Sequence, residues 1–491
     1  MRVPTPVTLT VVVGSKNTIS APSPQTLNRA TYVFKSWSEP LHATEAAGWE
    51  AERMFDRAAE TKSRDERAAI QERRLRDLVD RLIGLDGIQG RRLRDAGVTS
   101  GGDLTLADLP RLPTTNKQDL WDTYPLGMLA VPREQVVVVH GSSGTGGRPT
   151  LVAYTRDDLA LWAAMCARGL AGAGATQRST IQNAYGYGLF TGGLGIHQGG
   201  IALGATVLPL SAGMTQRQIT MLRDLRPDVL TCTPSYAIYL GEALQEAGVD
   251  PAELSLRAGV FGAEPWSEAL RRQIEALLPL KALDIYGLSE VVGPGVACEC
   301  IEAQDGLHVN EDHFLVETLD PTTEEPTPEG TPGELTFTTP TKQALPLLRY
   351  RSGDLASLHS GPCVCGRTLV RMTKVIGRVD DMVVVRGVNV YPSEVESVLL
   401  AQPGVAPHYL VVVDRRGPVA RLVVACEVDG GEETREALGA ALHERLGLRP
   451  EVVIVPAGTV PRVEIGKARR RVDWTGGDPP LPGLEILADR R

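Results

Sequence analysis

A glycine-rich stretch, His140-Gly-Ser-Ser-Gly-Thr-Gly-Gly-Arg-Pro-Thr150, follows the apolar run Val136–Val139. Glycine lets backbone N–H groups approach an anion, Ser and Thr hydroxyls add donors, and Arg148 adds charge. That is phosphate-binding chemistry, although the G-x-x-x-x-G-K-[ST] spacing of a Walker loop is missing. Four more segments follow in order: Tyr286-Gly-Leu-Ser-Glu290, Tyr350-Arg-Ser-Gly-Asp354, Gly377-Arg-Val-Asp-Asp381 and Gly466-Lys467. Each is weak alone, since an acidic residue in a turn is commonly a solvated or capping group. As a set they supply what transfer of an adenylyl group requires. Donors and a divalent cation hold the triphosphate, a carboxylate anchors the ribose, and a lysine meets the anionic transition state.

A second group is rich in sulfur. Cys298 and Cys300 precede Gly306-Leu-His308, and Cys363-Val-Cys365-Gly366 follows. Thiolate and imidazole ligands in two clusters can make a tetrahedral zinc site. Which Cys takes part stays open at this point, and His313 is an alternative nitrogen ligand.

These residues need elements to position them. Ser63 with Glu66 forms a capping-box pattern ahead of Leu75, Leu78, Val79 and Leu82, and Gly84 ends that helix. From about 135 to 290, apolar strands such as Val207–Leu210, Val229–Thr231 and Ala282–Ile285 alternate with helix-like stretches at 215–225 and 236–247. This predicts an α/β fold, a large N-terminal domain of helix-covered sheets over 61–377. Strand-like Tyr409–Val413, Leu422–Val428 and Val452–Val455 flank a helix at 432–446, which predicts a small α+β C-terminal domain over 378–491. Residues 1–60 show no sustained period and read as an extension.

The 491-residue chain is 42% hydrophobic and 23% charged, the balance of a globular protein. A net charge of -9 argues against a general nucleic-acid or membrane-surface binder. No apolar run approaches the ~20 residues of a membrane span. Seven Cys without an export signal suggest reduced thiols and a cytoplasmic location.

The ordered motifs resemble those of the adenylate-forming superfamily and, more narrowly, the phenylacetate–CoA ligase family. The resemblance runs from about 63 to about 474. Its most specific stretches are Asn183-Ala-Tyr-Gly-Tyr-Gly-Leu-Phe-Thr-Gly-Gly-Leu-Gly195, Phe261-Gly-Ala-Glu-Pro-Trp266, the run from Tyr286 to Cys300, and Arg386-Gly-Val-Asn-Val-Tyr-Pro392. It implies an ATP-dependent acid–CoA ligase that makes an acyl-adenylate and passes the acyl group to coenzyme A. Ser142, Ser143, Gly144, Thr145 and Gly147 would then hold the triphosphate. Glu290 would bind Mg²⁺, and Tyr286, Gly287 and Ser289, with Gly262, Ala263 and Glu264, would line the nucleotide. Asp354 would take the ribose hydroxyls with Arg378 beside it. Asp380 would be the hinge about which a small domain presents first Lys467, the adenylation cation, and then a face including Arg386 to Asn389, where the CoA arm passes. Arg469, Arg470 and Arg471 could meet CoA phosphates.

Tyr185 and Phe190, in a Gly-rich segment of a chain only 5% aromatic, correspond to an aryl-acid pocket. The resemblance also selects Cys300, His308, Cys363 and Cys365 for a structural zinc and leaves Cys298 spare. Two departures stand out. The family's Thr-Thr-Gly-Lys is Thr145-Gly146-Gly147-Arg148 here, and Gly87-Ile-Gln-Gly90 replaces a Pro-Phe-Tyr segment. The expected substrates are a small aryl or arylacetic acid, ATP and CoA, with a homodimer as one open assembly. Two alternatives are kept: loading the acid onto an acyl carrier protein, and a catalytically weakened nucleotide-binding regulator.

Overall fold

The structure is a computed structural model that describes residues 53–142, 149–385, 388–417 and 419–487. Within residues 53–60, a short helix Arg57–Glu60 is tied down by two ion pairs, the first of them buried. Glu60 meets Arg367 at 2.6 Å and Asp56 meets Arg168 at 3.1 Å. Helix α1 (Arg64–Ile83) starts at the expected capping box and stops at Gly84. Its buried Leu75, Leu78, Val79 and Leu82 pack with Leu93, Leu109, Leu112, Leu315 and Leu348.

Among the described residues the largest sheet has nine strands. Five are adjacent and parallel, in the order Thr206–Pro209, Thr180–Asn183, Val229–Cys232, Ala258–Gly262, Lys281–Leu288. The last three of these have almost wholly buried interiors, as a parallel sheet covered on both faces requires. Helices α2 (Arg156–Gly172), α3 (Thr191–Leu203), α4 (Thr215–Asp224), α5 (Pro234–Glu246) and α6 (Glu268–Leu277) accompany these strands. Strand order reverses between Thr180–Asn183 and Val229–Cys232, which creates a crevice at their carboxyl ends where ligands bind in open α/β sheets. The segments expected to do chemistry leave from that edge. Tyr185 follows Asn183, Ala263 and Glu264 follow Gly262, and Ser289 and Glu290 follow Leu288.

A second, antiparallel sheet joins Leu315–Leu319, Gly333–Thr338, Tyr350–Ala356 and Gly377–Arg378, with Asp354 directly opposite Arg378. The glycine-rich stretch joins the paired strands Val138–Gly141 and Leu151–Tyr154, so pairing begins two residues later than the apolar run suggested. After Arg378 come the hairpin Val383–Val385/Val388–Val390 and helix α7 (Pro392–Leu399). A four-stranded sheet follows, ordered Glu451–Val455, Arg421–Val428, Val405–Asp414, Arg471–Trp474, with helix α8 (Glu432–Leu446). Leu270 and Ile274 of α6 share one apolar cluster with Val395 and Leu399 of α7. Among the described residues no helix is long and apolar enough to cross a membrane.

Candidate active site

Asp354 is the anchor of the cleft. Its register partner Arg378 donates from Nη1 to Oδ1 at 2.7 Å, and the Tyr286 hydroxyl donates to Oδ2 at 2.7 Å. Burial raises the carboxyl's pKa, while Arg378, the Tyr286 hydrogen bond and Lys467 favour the charged form. Burial, and then the neighbouring carboxylate, lift the Tyr286 phenol well above its ordinary range. Tyr286 also stacks on Phe337, with centroids 5.9 Å apart. Arg378 extends the chain of contacts to Asp380 at 2.8 Å. A carboxylate held at both oxygens keeps lone pairs for further donors, now in a fixed direction.

The turn bearing Ser289 and Glu290 is gripped from below. The Tyr154 hydroxyl lies 3.2 and 3.1 Å from the carbonyls of Ser289 and Val292, and Lys342 Nζ donates to the Glu290 carbonyl at 2.9 Å. Lys342 is fully buried, with its ammonium 4.9 Å from the Tyr154 ring, and burial pushes its pKa down to about 8. The buried Glu290 carboxylate has Lys117 3.8 Å away, and Ser289 Oγ contacts Thr191 Oγ1 at 3.1 Å. A Cβ on Gly287 would stand 1.9 Å from the Gly293 carbonyl, so the strand end closes only with glycine there. Tyr154, Lys342 and Lys117 were not singled out from sequence. Their partners are more than a hundred residues away for two of them, and no local spacing announces such contacts.

Gly262 and Ala263 form the next wall. Ala263 adopts φ +74°, and a Cβ on Gly262 would meet the Ile285 carbonyl at 2.1 Å. Glu264 accepts from Ser235 N at 2.7 Å and, across the cleft, from Ala468 N at 2.9 Å. Lys467 is the neighbour of Ala468, in a turn made by Gly466 at φ +93°. Its side chain keeps solvent contact, as expected for a group lining an open cleft. Crowding lowers its pKa from the usual lysine value, while Asp354, Glu264 and Glu290 pull it upward. Arg378, in the same electrostatic environment, opposes that pull.

Ser142 is described, with its N–H on the Thr150 carbonyl at 2.9 Å and its hydroxyl buried. Ser143, Gly144, Thr145 and Gly147, together with Gly146 and Arg148, lie outside the described residues, as do Arg386 and Gly387. Of the basic triplet, Arg470 lies over the Tyr409 ring at 4.6 Å, and Arg471 reaches the carbonyls of Asp380 and Asp381 at 3.5 and 3.3 Å.

Tyr185 and Phe190 occupy different surroundings. Tyr185 is buried, whereas Phe190 stands 51% exposed at the start of α3. Several glycines of this segment serve packing instead of ligand access. A Cβ on Gly195 would lie 2.4 Å from Trp162, and one on Gly199 2.4 Å from Cys166. Gly186 and Gly188 do face open space. A polar set beside them was missed: the Tyr187 hydroxyl accepts from Asn183 at 2.8 Å and contacts His197 Nδ1 at 3.1 Å.

Cys300, His308, Cys363 and Cys365 converge, with their ligand atoms all within 4.8 Å of one another. Cys300 Sγ is 3.7 Å from Cys363 Sγ, and Cys365 Sγ is 3.5 Å from His308 Nε2. Zinc–ligand bonds of about 2.3 Å to sulfur and about 2.0–2.1 Å to nitrogen give tetrahedral edges of about 3.8 and about 3.5 Å. The spacing therefore fits that ion. Hydrogen bonds from Cys300 and then His308 hold the Cys365 thiol far below its usual range. Cys298 is buried apart from this group, beside Gly169, and His313 turns instead to Thr341 and Asp312.

Residues 89–343 match the family model of the AMP-binding enzymes, and residues 387–474 match that of the AMP-binding enzyme C-terminal domain. The chain is similar to the phenylacetate-coenzyme A ligase of Thermus thermophilus, at 49% identity over 86% of this chain and 99% of the relative. Among solved structures it is similar to a 2-hydroxyisobutyryl-CoA ligase in its postadenylation state in complex with R3-HIB-AMP. That likeness has a TM-score of 0.81 and 27% identity over 86% of this chain and 93% of the other. The TM-score falls to 0.64, at the same identity, over 88% and 93%, for that ligase with 2-HIB-AMP and CoA in the thioesterification state.

Proposed function

Since the chain belongs to the phenylacetate–CoA ligase family of AMP-binding enzymes, we propose that it activates a small aryl or arylacetic acid. The overall reaction is AMP-forming acid–CoA ligation. The carboxylate oxygen attacks the α-phosphorus of ATP and pyrophosphate leaves. The CoA thiol, losing its proton, then attacks the acyl carbon and AMP leaves.

The residue roles in this reading are as follows. Asp354 accepts the ribose hydroxyls, fixed by Tyr286 and Arg378. Gly262, Ala263, Glu264, Tyr286, Gly287 and Ser289 line the nucleotide. Ser142, with Ser143, Gly144, Thr145 and Gly147, receives the triphosphate. Glu290, buried on its gripped turn, would hold Mg²⁺, which would offset phosphate charge. Lys467 stabilises the charge that develops as pyrophosphate departs. Asp380, bonded to Arg378, is the pivot. Tyr185 and Phe190 flank the acid, with Tyr187 and His197 at hand for a polar substituent. Cys300, His308, Cys363 and Cys365 would hold a zinc ion, which would supply a structural clamp between loops of the nine-stranded sheet.

The single observation that carries this reading is Asp354 anchored at both oxygens by Tyr286 and Arg378, with the Lys467 loop tied to Glu264 through Ala468. The test is pyrophosphate release across aryl and aliphatic acids, followed by thioester formation with free CoA and with a carrier protein. The reading expects aryl-dependent release and CoA as acceptor. Equal activation of acetate or hexanoate contradicts the acid assignment, and turnover only with carrier protein contradicts CoA. No release with any acid points to the weakened regulator.

A further inference from the structure

Helix α5 presents Ser235, Tyr239 and Glu242 at i, i+4 and i+7, which puts them on one face. Tyr239 and Glu242 contact the C-terminal part of the chain directly, and Ser235 does so through Glu264. The Tyr239 hydroxyl donates to Glu464 Oε1 at 2.7 Å, and Thr215, at the start of α4, reaches the same oxygen at 3.4 Å. Glu242 contacts His408 Nε2 at 2.8 Å and Arg462 Nε at 3.9 Å, and Arg462 is itself fixed by Glu427 at 2.9 Å. The Ser235 N–H shares the Glu264 carboxylate with Ala468 N–H. Glu464 and Ala468 bracket Lys467, so the loop bearing the cation is held on one flank by the helix face and on the other by Glu264, whose carboxylate that helix's Ser235 N–H also meets. Ile465, between them, lies over Gly213, where an added Cβ would come within 3.1 Å of its side chain.

We propose that this face of α5 is the docking surface that sets the adenylation arrangement, with Tyr239 and Glu464 as positioning residues for Lys467. The proposal rests on the reading of Lys467 as the adenylation cation. The contacts suit a joint that must open. They are hydrogen bonds and ion pairs with partly exposed partners, individually weak. The greater likeness to the postadenylation state, against the thioesterification state of the same ligase, agrees with these contacts belonging to one of two arrangements. A face that favours one arrangement affects the half-reaction run in it and leaves the other alone.

The experiment uses full-length Tyr239→Phe, Glu464→Gln and the double variant, with Lys467→Ala alongside. Aryl-acid-dependent pyrophosphate exchange reads the first half-reaction, and CoA thioester formation from supplied acyl-adenylate reads the second. Each single variant is expected to slow the first about three- to tenfold and leave the second at or above the parent rate. The double variant should be little worse than Tyr239→Phe alone, because both changes act on one shared hydrogen bond, which Gln weakens and Phe removes. Glu242→Gln should act in the same direction and guards against a single variant that folds poorly. Equal loss in both half-reactions, fully additive effects, or no change in exchange would overturn the docking surface while Lys467→Ala still abolishes exchange. Exchange that survives Lys467→Ala would overturn the lysine assignment first, and the positioning role with it.

Discussion

The two walls of the cleft are built differently. Asp354 and Arg378 stand opposite each other on paired strands, and Tyr286 and Glu290 lie on or just after a central strand. Their supports are buried: Tyr154 and Lys342 under the Glu290 turn, and Phe337 under Tyr286. Lys467 stands in a loop, with solvent on its side chain and polar contacts on its flanks. The difference follows from the chemistry. The nucleotide must be held through both half-reactions, so its ligands belong on a rigid frame, whereas a cation needed in one step belongs on a removable element.

The comparison can be broken at the rigid wall first. Asp354→Asn should raise the KM for ATP about ten- to hundredfold, because it weakens charge-assisted hydrogen bonds to the ribose and leaves Arg378 with Asp380 as its one carboxylate partner among the described residues. It should slow both half-reactions, which steady-state and acyl-adenylate assays would separate. Loss confined to adenylation would place Asp354 with the movable wall instead. A smaller effect is expected in the acid pocket. Phe190→Ala should raise the KM for an aryl acid about two- to tenfold, the value of one ring contact, with the KM for ATP unchanged. A matching change in the ATP value would show that Phe190 shapes the nucleotide wall. The smallest effect on turnover is expected away from the cleft. Zinc should co-purify at about one ion per chain, and Cys363→Ser should lower metal content and melting temperature by several degrees while folded protein keeps its exchange rate. Metal analysis of chelator-free protein finding no zinc would remove this tie from the frame.

Much of the frame was legible because its signals are local. The capping box at Ser63 and Glu66, the run Val229–Thr231 and the helix at 432–446 each announce themselves within a few residues. The strand Arg471–Trp474 did not, because Arg471 and Asp473 alternate with only Val472 and Trp474 as apolar partners, and its pairing with Val411–Asp414 is decided elsewhere in the chain. The grips on Glu290 were hidden for the same reason: Lys342 reads as one more charge in a Thr-rich stretch until folding buries it. The Gly-rich segment Asn183–Gly195 accompanies an aryl-acid pocket in the resemblance, yet Gly195 is there because α3 packs closely on Trp162 of α2. The Cys and His residues came together as the family resemblance implied, whereas spacing alone left Cys298 and His313 open.

The division between the two walls is tested most directly by Lys467→Ala, followed in each half-reaction on the same preparation. Pyrophosphate exchange should fall a hundredfold or more, on the order of the loss of one preorganised transition-state contact. Thioester formation from supplied acyl-adenylate should persist near the parent rate. Equal loss in both, or exchange that survives, would contradict the account.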